Sequence, residues 1–115
     1  MLQKIIMLML ACVVLAGCAS QRDEFRLNEG KHSFIDGDYK KAFHDLLPLA
    51  SQNNAHAEYA VGYMYYYGYG VAQDSESGLF WMQKSASQGF EPAKKALEMI
   101  NHHSQETPVN KQLAY

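Results

Sequence analysis

The sequence predicts an all-α fold, an α/α solenoid of about five helices that form antiparallel hairpins. Three observations predict it. Shifted by 36 residues, the 115-residue chain aligns with itself, and helical repeats have about this length. Residues that cap helices and glycines that end them recur with the same spacing. No segment alternates apolar and polar residues in the way that a half-buried strand does.

The internal repeat is visible residue by residue. Asp38 falls on Asp74, and the tripeptide Ala-Ser-Gln occurs at residues 50–52 and again at residues 86–88. Small and apolar positions coincide as well: Ala57 with Ala93, Ala60 with Ala96, Leu46 with Met82, and Val61 with Leu97. The coincidence predicts that each unit is a pair of helices, because a single helix cannot bury its apolar face alone.

The first three helices follow from capping residues and apolar spacing. An opening helix is predicted over residues 21–35. Asp38 can cap a second helix over residues 39–52, and a third is predicted over Ala55–Tyr67. Pro48 lies inside the second helix, where a proline removes a backbone hydrogen bond, so we expect this helix to bend or to end early.

The last two helices have equally clear boundaries. Asp74 can cap a fourth helix over residues 75–88. Gly89 can end it in the left-handed conformation, because a glycine pays no Cβ penalty there. Pro92 suits the first turn of a fifth helix, where its missing N–H is not needed.

The first 17 residues have the features of an export signal, with Lys4 before an apolar run that is shorter than the roughly 20 residues of a membrane span. The motif Leu15-Ala16-Gly17-Cys18 that follows resembles the lipobox of bacterial lipoproteins. The resemblance implies cleavage before Cys18 and acylation of its thiol with chains such as palmitate. The alternative is an ordinary secreted protein with a free thiol at Cys18.

The position of the anchor predicts the organisation of the rest of the chain. Residues 18–24 are predicted to be a lipidated linker, residues 25–103 the repeat domain and residues 104–115 a polar tail. Multiple acylation attaches a protein firmly to a membrane. The resemblance further implies sorting to the outer membrane of a Gram-negative cell, facing the periplasm, because Ala19 and not an aspartate follows the cysteine.

A second resemblance concerns the repeat itself. The residues that carry it are Ala57, Val61-Gly62, Met64-Tyr65, Gly68, Gly70-Val71, Asp74, Trp81, Lys84, Ala86 and Gly89. This pattern resembles the Sel-1-like repeat, a relative of the tetratricopeptide repeat whose unit is a pair of antiparallel helices. It covers one full repeat between two half-units, and it departs from the family at Ser77-Gly78 and Val61. The resemblance implies adaptor or assembly roles and gives a structural role to Gly62, Tyr65, Gly68, Gly70, Asp74, Trp81 and Gly89.

Packing arguments support several of these roles independently. Gly62 lies inside a helix, where glycine costs roughly 1 kcal/mol against alanine, so we expect it to mark a close helix approach. Trp81 is too large to leave exposed cheaply and is predicted to pack with Val71 beneath the turn. Tyr65 and Tyr69 are predicted to close the hairpin.

The remaining aromatic residues of the third helix form a separate group, which we call the tyrosine stripe. It consists of His56, Tyr59, Tyr63, Tyr66 and Tyr67, which fall within an arc of about 100° at the helical period. In one interpretation the tyrosine stripe packs against the neighbouring helix pair. In the other, His56, Tyr59, Tyr63 and Tyr66 line a concave surface that binds a partner, a task that tyrosine suits. We expect both in part, with Tyr67 buried and Tyr59, Tyr63 and Tyr66 partly exposed.

Other chemistry finds little support in the sequence. The net charge is −2 and the basic residues are scattered, so nothing tracks a nucleic-acid backbone. Cys12 would leave with the signal, so the mature chain would lack a thiol for a disulfide or for catalysis. His102 and His103 diverge by about 100° on a helix and cannot readily share a metal without a third ligand. We therefore predict no catalytic site, no metal and no cofactor.

The predicted function is a membrane-anchored protein–protein interaction module of the bacterial cell envelope. Its expected partner is another envelope protein. Two alternatives remain open at this point. One is an immunity or inhibitor lipoprotein that blocks a cell-wall-degrading toxin. The other is a protein that binds or hydrolyses peptidoglycan or another sugar polymer.

Overall fold

The computed structural model of the protein describes residues 1–105, except for the side chains of residues 14–20. This part of the chain contains five α-helices and no strand, which confirms the predicted all-α solenoid. The helices are α1 (Leu2–Ile35), α2 (Tyr39–Ser51), α3 (Ala55–Tyr67), α4 (Ser75–Ser87) and α5 (Glu91–Gln105). Each helix packs against the next one along the chain, as in a stack of helical hairpins. Most of the predicted tail lies outside the described residues, and residues 104–105 belong to α5.

Helix α1 is much longer than predicted. It begins at Leu2 and continues without a break to Ile35, whereas we expected an opening helix only from residue 21. Residues 18–24 are therefore helical and advance about 1.5 Å per residue, not the roughly 3.3 Å of an extended linker. The boundaries of the signal and of the linker coincide with no break in this helix and stay predictions.

The N-terminal half of α1 contains the predicted signal segment and Cys18. Its large apolar side chains are exposed, among them Ile6, Leu8 and Met9, at 51%, 68% and 68%. Within the described residues, no helix combines the length and the apolar character needed to cross a membrane. Cys18 falls among residues 14–20, whose side chains lie outside the described part, so its acylation stays a prediction.

Helices α2, α3 and α4 begin at capped positions. The Asp38 side chain accepts a hydrogen bond from the Lys41 backbone N–H at 3.2 Å, and Asp74 accepts one from the Ser77 N–H at 3.1 Å. Asn54 caps α3 in the same way through the Ala57 N–H, also at 3.1 Å. Both predicted aspartate caps are thus confirmed, and α2 and α4 start 36 residues apart, at Tyr39 and Ser75.

The helix ends also repeat. Gly89 has the predicted left-handed conformation, with φ of 88°, and follows the end of α4. Asn53 occupies the equivalent place after α2, with φ of 64°, and is the one described non-glycine residue with positive φ. Asparagine tolerates this conformation better than other non-glycine residues. The two turns therefore have the same geometry despite different residues.

Pro48 does not end α2 early. The helix continues past it to Ser51, so this alternative of the prediction is wrong. A proline costs the helix one backbone hydrogen bond, and here that cost is offset by the burial of Leu49 and Ala50 directly after it, at 1% and 0% exposure. The burial of this last turn carries the helix beyond the proline.

The core forms mainly between α2 and α3. Its buried members are Ala42, Leu46, Leu49, Ala50, Ala57, Val61 and Met64. Helices α3 and α4 approach closely at two glycines: a Cβ on Gly62 would lie 2.8 Å from the Gly78 carbonyl oxygen. A Cβ on Gly78 would lie 2.9 Å from the Gly62 carbonyl oxygen. This contact accounts for Gly62 inside α3 and for the departure from the family pattern at Gly78.

The turn between α3 and α4 folds back over the start of α2. Gly68 ends α3 with φ of 76°, and a Cβ on Gly70 would collide with the Tyr39 carbonyl. Val71 and Trp81 both pack against the core, but Trp81 is only partly buried, so it is less enclosed than predicted. The Lys84 ammonium lies 5.2 Å from the centre of its ring, within cation–π range.

Candidate partner-binding surface

The tyrosine stripe lies along α3 between α1 and α5. The 3.6-residue period brings its members to one side of the helix, while Ala57, Val61 and Met64 on the other side are fully buried. Tyr59, Tyr63 and Tyr66 are partly exposed, as predicted. His56 is exposed. Tyr67 is 49% exposed, so the prediction that it is buried is wrong.

Tyr67 is exposed because of its position at the end of α3. The chain turns away at Gly68 into the loop that leads to α4, so no further helical turn covers the ring from the C-terminal side. Its ring instead packs against Tyr63 at 4.5 Å and Tyr66 at 5.0 Å between ring centres. Helical periodicity indicates the face of a residue but not how far the neighbouring helices extend along it.

The rings of the tyrosine stripe form a continuous aromatic array. His56 contacts Phe90 at 4.4 Å between ring centres, and Tyr59 contacts the same ring at 5.6 Å. Tyr59 and Tyr63 are 6.3 Å apart, and Tyr63 continues the array to Tyr67. Aromatic pairs at such separations and tilts stabilise each other, so the array is held in place before any partner binds.

Tyr65 and Tyr69 join this part of the chain to the preceding hairpin, and the Tyr69 ring also lies 6.0 Å from that of Tyr63 and 6.2 Å from that of Tyr67 in the tyrosine stripe. The Tyr65 ring meets Phe43 edge to face at 5.2 Å, and the Tyr69 ring lies 4.7 Å from that of Tyr39. Both pack against the core. This is the scaffold position that the sequence predicts for them.

A cavity of about 510 Å³ lies on one side of the tyrosine stripe, between α3 and α1. His56, Tyr59 and Tyr63 contribute to its wall from α3, together with Ala60. The remaining wall consists of Lys31, Phe34, Ile35, Leu46, Phe90 and Pro92. The cavity is therefore mostly apolar, with one lysine and one histidine.

A second cavity, of about 430 Å³, lies on the other side of the tyrosine stripe, between α3 and α5. Its α3 wall consists of Tyr59, Tyr63, Tyr66 and Tyr67. The opposite wall consists of Met82, Ala96, Met99, Ile100 and His103. Tyr59 and Tyr63 line both cavities, so the two form neighbouring parts of one surface.

Burial favours the protonated form of the tyrosines at this surface. It raises the pKa of Tyr59 and of Tyr63 above the ordinary value of 10.0, and neighbouring tyrosines raise both further. These phenols therefore stay protonated and able to donate at any physiological pH. Within the described part of the chain, no hydrogen bond joins the hydroxyl of Tyr59, Tyr63, Tyr66 or Tyr67 to another residue.

Burial also acts on His56, whose pKa it lowers below the ordinary 6.5, and the positive charge of Lys31 lowers the pKa further. The residue as a whole is exposed, but its ring packs on Phe90. His56 is consequently neutral at pH 7. Its neutral ring can donate or accept one hydrogen bond at the edge of the first cavity.

The structure also contains a buried charge that sequence reasoning missed. Glu58 is fully buried in the first turn of α3, and its carboxylate lies 3.1 Å from the Lys84 ammonium and 2.7 Å from the Gln88 amide nitrogen. Glu58 precedes Val61 and Gly62 by three and four residues, so it shares their face of the helix, and this spacing indicated its burial. Its partners on α4 had no such signal.

No other arrangement indicates chemistry at this surface. Among residues 1–105, apart from the side chains not described, no three histidine, cysteine or acidic residues are placed to hold a metal ion. What the arrangement provides is an apolar and hydroxyl-bearing contact surface.

Comparisons with known proteins agree with this geometry. Residues 55–90 match the family model of the Sel1 repeat. A 49-residue stretch is 49% identical to chitin synthase regulatory factor 3 of Schizosaccharomyces pombe, covering 43% of this chain and 5% of that protein. The chain thus spans a small fraction of the length of this relative. No solved structure gives a significant match.

The matched range begins with α3 and ends in the turn after α4, so it contains the whole α3–α4 hairpin and the tyrosine stripe. The close approach of Gly62 and Gly78 and the cap at Asp74 lie within it. Repeats of this family are typically modules for protein–protein interaction and not enzymes. Residues 55–90 of this chain thus match the Sel1 repeat, a type of repeat that typically serves protein–protein interaction.

Proposed function

We propose that the chain is a lipid-anchored adaptor or assembly factor of the bacterial cell envelope that binds another protein through the tyrosine stripe. One observation carries the proposal: the tyrosine stripe is partly exposed and borders two adjoining cavities. A stripe that only joined helices would be covered along its length. Here the neighbouring helices leave room on both sides of it.

The chemistry of the surface favours a protein partner. Tyrosine combines a large apolar ring with a hydroxyl group and loses little rotamer freedom on binding, which is why it is enriched at protein interfaces. The rings of Tyr59, Tyr63 and Tyr67 already support each other, so little ordering is required when a partner binds. Their free hydroxyls offer hydrogen bonds to a partner's backbone or side chains.

The proposed membrane attachment rests on the N-terminal sequence. The motif at residues 15–18 resembles a lipobox, and the apolar side chains that precede it are exposed in α1. Exposed apolar side chains of this kind fit a segment that is removed on export and plays no part in the folded domain. Acylated Cys18 would then hold the repeat close to the outer-membrane surface, facing the periplasm.

The curated relative supports a regulatory role in general terms. Chitin synthase regulatory factor 3 is named as a factor that regulates an enzyme. Residues 55–90 of this chain match a repeat that typically serves protein–protein interaction. By analogy, the chain would position or regulate other proteins of the envelope without catalysis of its own.

Photo-crosslinking tests the partner surface directly. A photoreactive phenylalanine replaces Tyr67 in the tyrosine stripe, or Phe80 on α4 as the matched control, in cells that express the full chain. Both positions are exposed aromatics, at 49% and 59%, but Phe80 lines neither cavity. We expect a discrete crosslinked protein from position 67 alone. Equal crosslinking from both positions, or none from position 67, would contradict the proposal.

The identity of the crosslinked protein separates the adaptor from its alternatives. A cell-wall-degrading toxin in the crosslink would make the chain an immunity or inhibitor lipoprotein. If purified protein instead bound peptidoglycan fragments, and Tyr59→Ala removed that binding, the surface would be a sugar site. The adaptor proposal predicts no binding and no turnover of such fragments.

Membrane fractionation tests the anchor separately. We expect the wild-type chain in the outer-membrane fraction and the Cys18→Ser variant, whether cleaved or uncleaved, to be absent from that fraction. Cys12→Ser is the control, because this residue precedes the lipobox. Unchanged attachment of Cys18→Ser to the outer membrane would refute the anchor while leaving the partner surface untouched.

A further inference from the structure

The charge around the two cavities differs from that of the whole chain. The protein has a net charge of −2 with 12 acidic residues, yet none of the residues that line either cavity is an aspartate or a glutamate. The ionisable groups other than tyrosine at these walls are Lys31, His56 and His103. The candidate surface is thus a patch without negative side chains on an acidic molecule.

Lys31 is the fixed positive charge of this patch. Within the described residues it forms no ion pair, whereas Lys41, Lys84 and Lys94 each pair with a carboxylate. Its own helix offers no acidic neighbour, because Leu27 and Asn28 precede it by four and three residues and Phe34 and Ile35 follow it at the same distances. The ammonium is exposed and available to a partner.

Glu91, next to the α5 side of the first cavity, does not neutralise the charge of Lys31. Glu91 precedes the lining residue Pro92, but its carboxylate lies 2.7 Å from the Lys94 ammonium. Lys31 shares the lining of the first cavity with His56, and no acidic side chain lies among the residues of that wall. A carboxylate from a partner would supply the negative charge that this cavity lacks.

We infer that the partner contributes an acidic peptide segment whose aspartate or glutamate contacts Lys31 while an adjacent large apolar side chain fills the first cavity. The cavity volume of about 510 Å³ lies within the range of roughly 300–1,000 Å³ typical of binding pockets. Its walls of Phe34, Ile35 and Phe90 suit an apolar anchor. Complementary charge chiefly sets selectivity and association rate at such a surface.

This inference rests on the proposed function and narrows it. A basic or neutral partner could use the same rings, but it would leave Lys31 unpaired or repel it. His103 lines the second cavity, on the other side of the tyrosine stripe from Lys31.

Selection from a random peptide library tests the inference. The full chain, solubilised in detergent, selects peptides in parallel with its Lys31→Glu variant and with Lys95→Glu. Lys95 is an exposed α5 residue that lines neither cavity, so it is the matched control for charge. For the wild type and the control we expect enrichment of acidic residues next to leucine, phenylalanine or tryptophan. Lys31→Glu should lose that preference.

Binding of one selected peptide gives the quantitative readout. At low salt, Lys31→Glu should lower the affinity for the peptide about fivefold, as expected for an exposed charge pair. Lys31→Gln should have about half that effect on the binding free energy. The differences should shrink at high salt, because salt screens exposed charges. Circular dichroism of each variant checks that the helices are intact.

Several results would overturn the inference. These are enrichment of neutral or basic peptides, no enrichment at all, or equal binding of the peptide by Lys31→Glu and the wild type. The proposed function fails in a different way, through the absence of a crosslink at position 67. A crosslinked partner whose bound segment is not acidic would leave the function standing and remove only the inference.

Discussion

Glu58 shows at the scale of one residue how a Sel1 repeat can hold a charge in its interior. Its side chain is fully buried, which is costly for an ionised carboxylate without partners. Lys84 supplies the opposite charge at 3.1 Å, and Gln88 donates a hydrogen bond to the other oxygen at 2.7 Å. Among the residues that the structure describes, none forms a hydrogen bond of good geometry with the oxygen that faces Lys84, so this atom depends on the ion pair.

Removal of Lys84 should therefore destabilise the protein more than removal of a surface lysine. We expect Lys84→Met to lower the free energy of unfolding by about 2 kcal/mol, because it leaves a buried charge without its partner. Methionine keeps an apolar contact with Trp81. Urea unfolding monitored by circular dichroism measures the change.

A double variant isolates the charge as the cause. Glu58→Gln combined with Lys84→Met should recover most of the stability, because an amide oxygen still accepts from Gln88 and no buried charge remains. Lys94→Met is the control, since its ion pair with Glu91 is exposed and should contribute almost nothing. Equal effects of Lys84→Met and Lys94→Met would contradict this account of Glu58.

His56 gives a pH dependence whose sign follows from its lowered pKa. The unfolded chain protonates this histidine near pH 6.5, whereas the folded chain resists protonation because of burial and Lys31. The stability that neutral His56 contributes is therefore fully present above pH 6.5. It is lost as the pH falls from there through the lower folded pKa. The pKa of Asp45 is lowered from the ordinary value of 3.8. Carboxyl groups of this kind therefore change the stability only at more acidic pH.

We expect His56→Gln to remove part of the loss of stability between pH 7 and pH 5. Urea unfolding at several pH values measures it, and His32→Gln on the exposed surface of α1 is the control. A parallel pH profile of His56→Gln and the wild type would show that His56 does not titrate differently in the folded state.

At the scale of the helices, boundaries were easier to predict than contacts. The predicted range of residues 39–52 differs from α2 by one residue, and Ala55–Tyr67 was predicted as it is found. Caps and turn glycines act within three or four residues, so a short stretch of sequence contains their whole cause. The length of α1 was missed because a predicted signal segment was set aside from the fold.

Which side chains the helices cover was harder to predict. Tyr67 was expected to be buried and is 49% exposed, and Glu58 was not recognised as buried. Both depend on residues of another helix, and one sequence does not show how closely two helices approach. The tyrosine stripe itself was predictable because it follows from the period of α3 alone.

The contact between α3 and α4 leads to a prediction that contradicts helix propensity. Gly78→Ala should favour the helix by up to about 1 kcal/mol and would restore the alanine typical of the family. In this structure, however, the new Cβ would lie 2.8 Å from the Tyr66 Cβ and 2.9 Å from the Gly62 carbonyl oxygen. We expect a net loss of about 1–2 kcal/mol, because backbone atoms cannot move aside as a flexible side chain can.

Thermal unfolding of Gly78→Ala measures this balance. Gln83→Ala, an exposed position on the same helix, reports the effect of propensity without a contact and should leave the midpoint nearly unchanged or slightly raised. A higher midpoint for Gly78→Ala would mean that α3 and α4 can separate at no cost. The close approach of the two helices would then not be a requirement of the fold.

At the scale of the whole molecule, the protein is a short stack in which each helix depends mainly on its neighbours. Helices α2 and α3 supply the main buried cluster, whereas α5 packs on α4 at one end of the described stack. In such arrays stability is approximately a sum of unit and nearest-neighbour contributions. An identical change should therefore have different consequences at the centre and at the end.

Ala57 and Ala93 provide a matched pair for this test, because they occupy equivalent positions 36 residues apart and both are fully buried. Aspartate at position 57 places an unpaired charge in the central cluster and should cost at least about 3 kcal/mol, with loss of structure from α2 to α4. Aspartate at position 93 should detach α5 and leave the α2–α3 cluster folded. Amide hydrogen exchange distinguishes the two, since protection should disappear broadly in Ala57→Asp and only around α5 in Ala93→Asp. Equal loss of protection throughout both variants would show that the five helices unfold as one unit, and the second cavity could then not open without loss of the first.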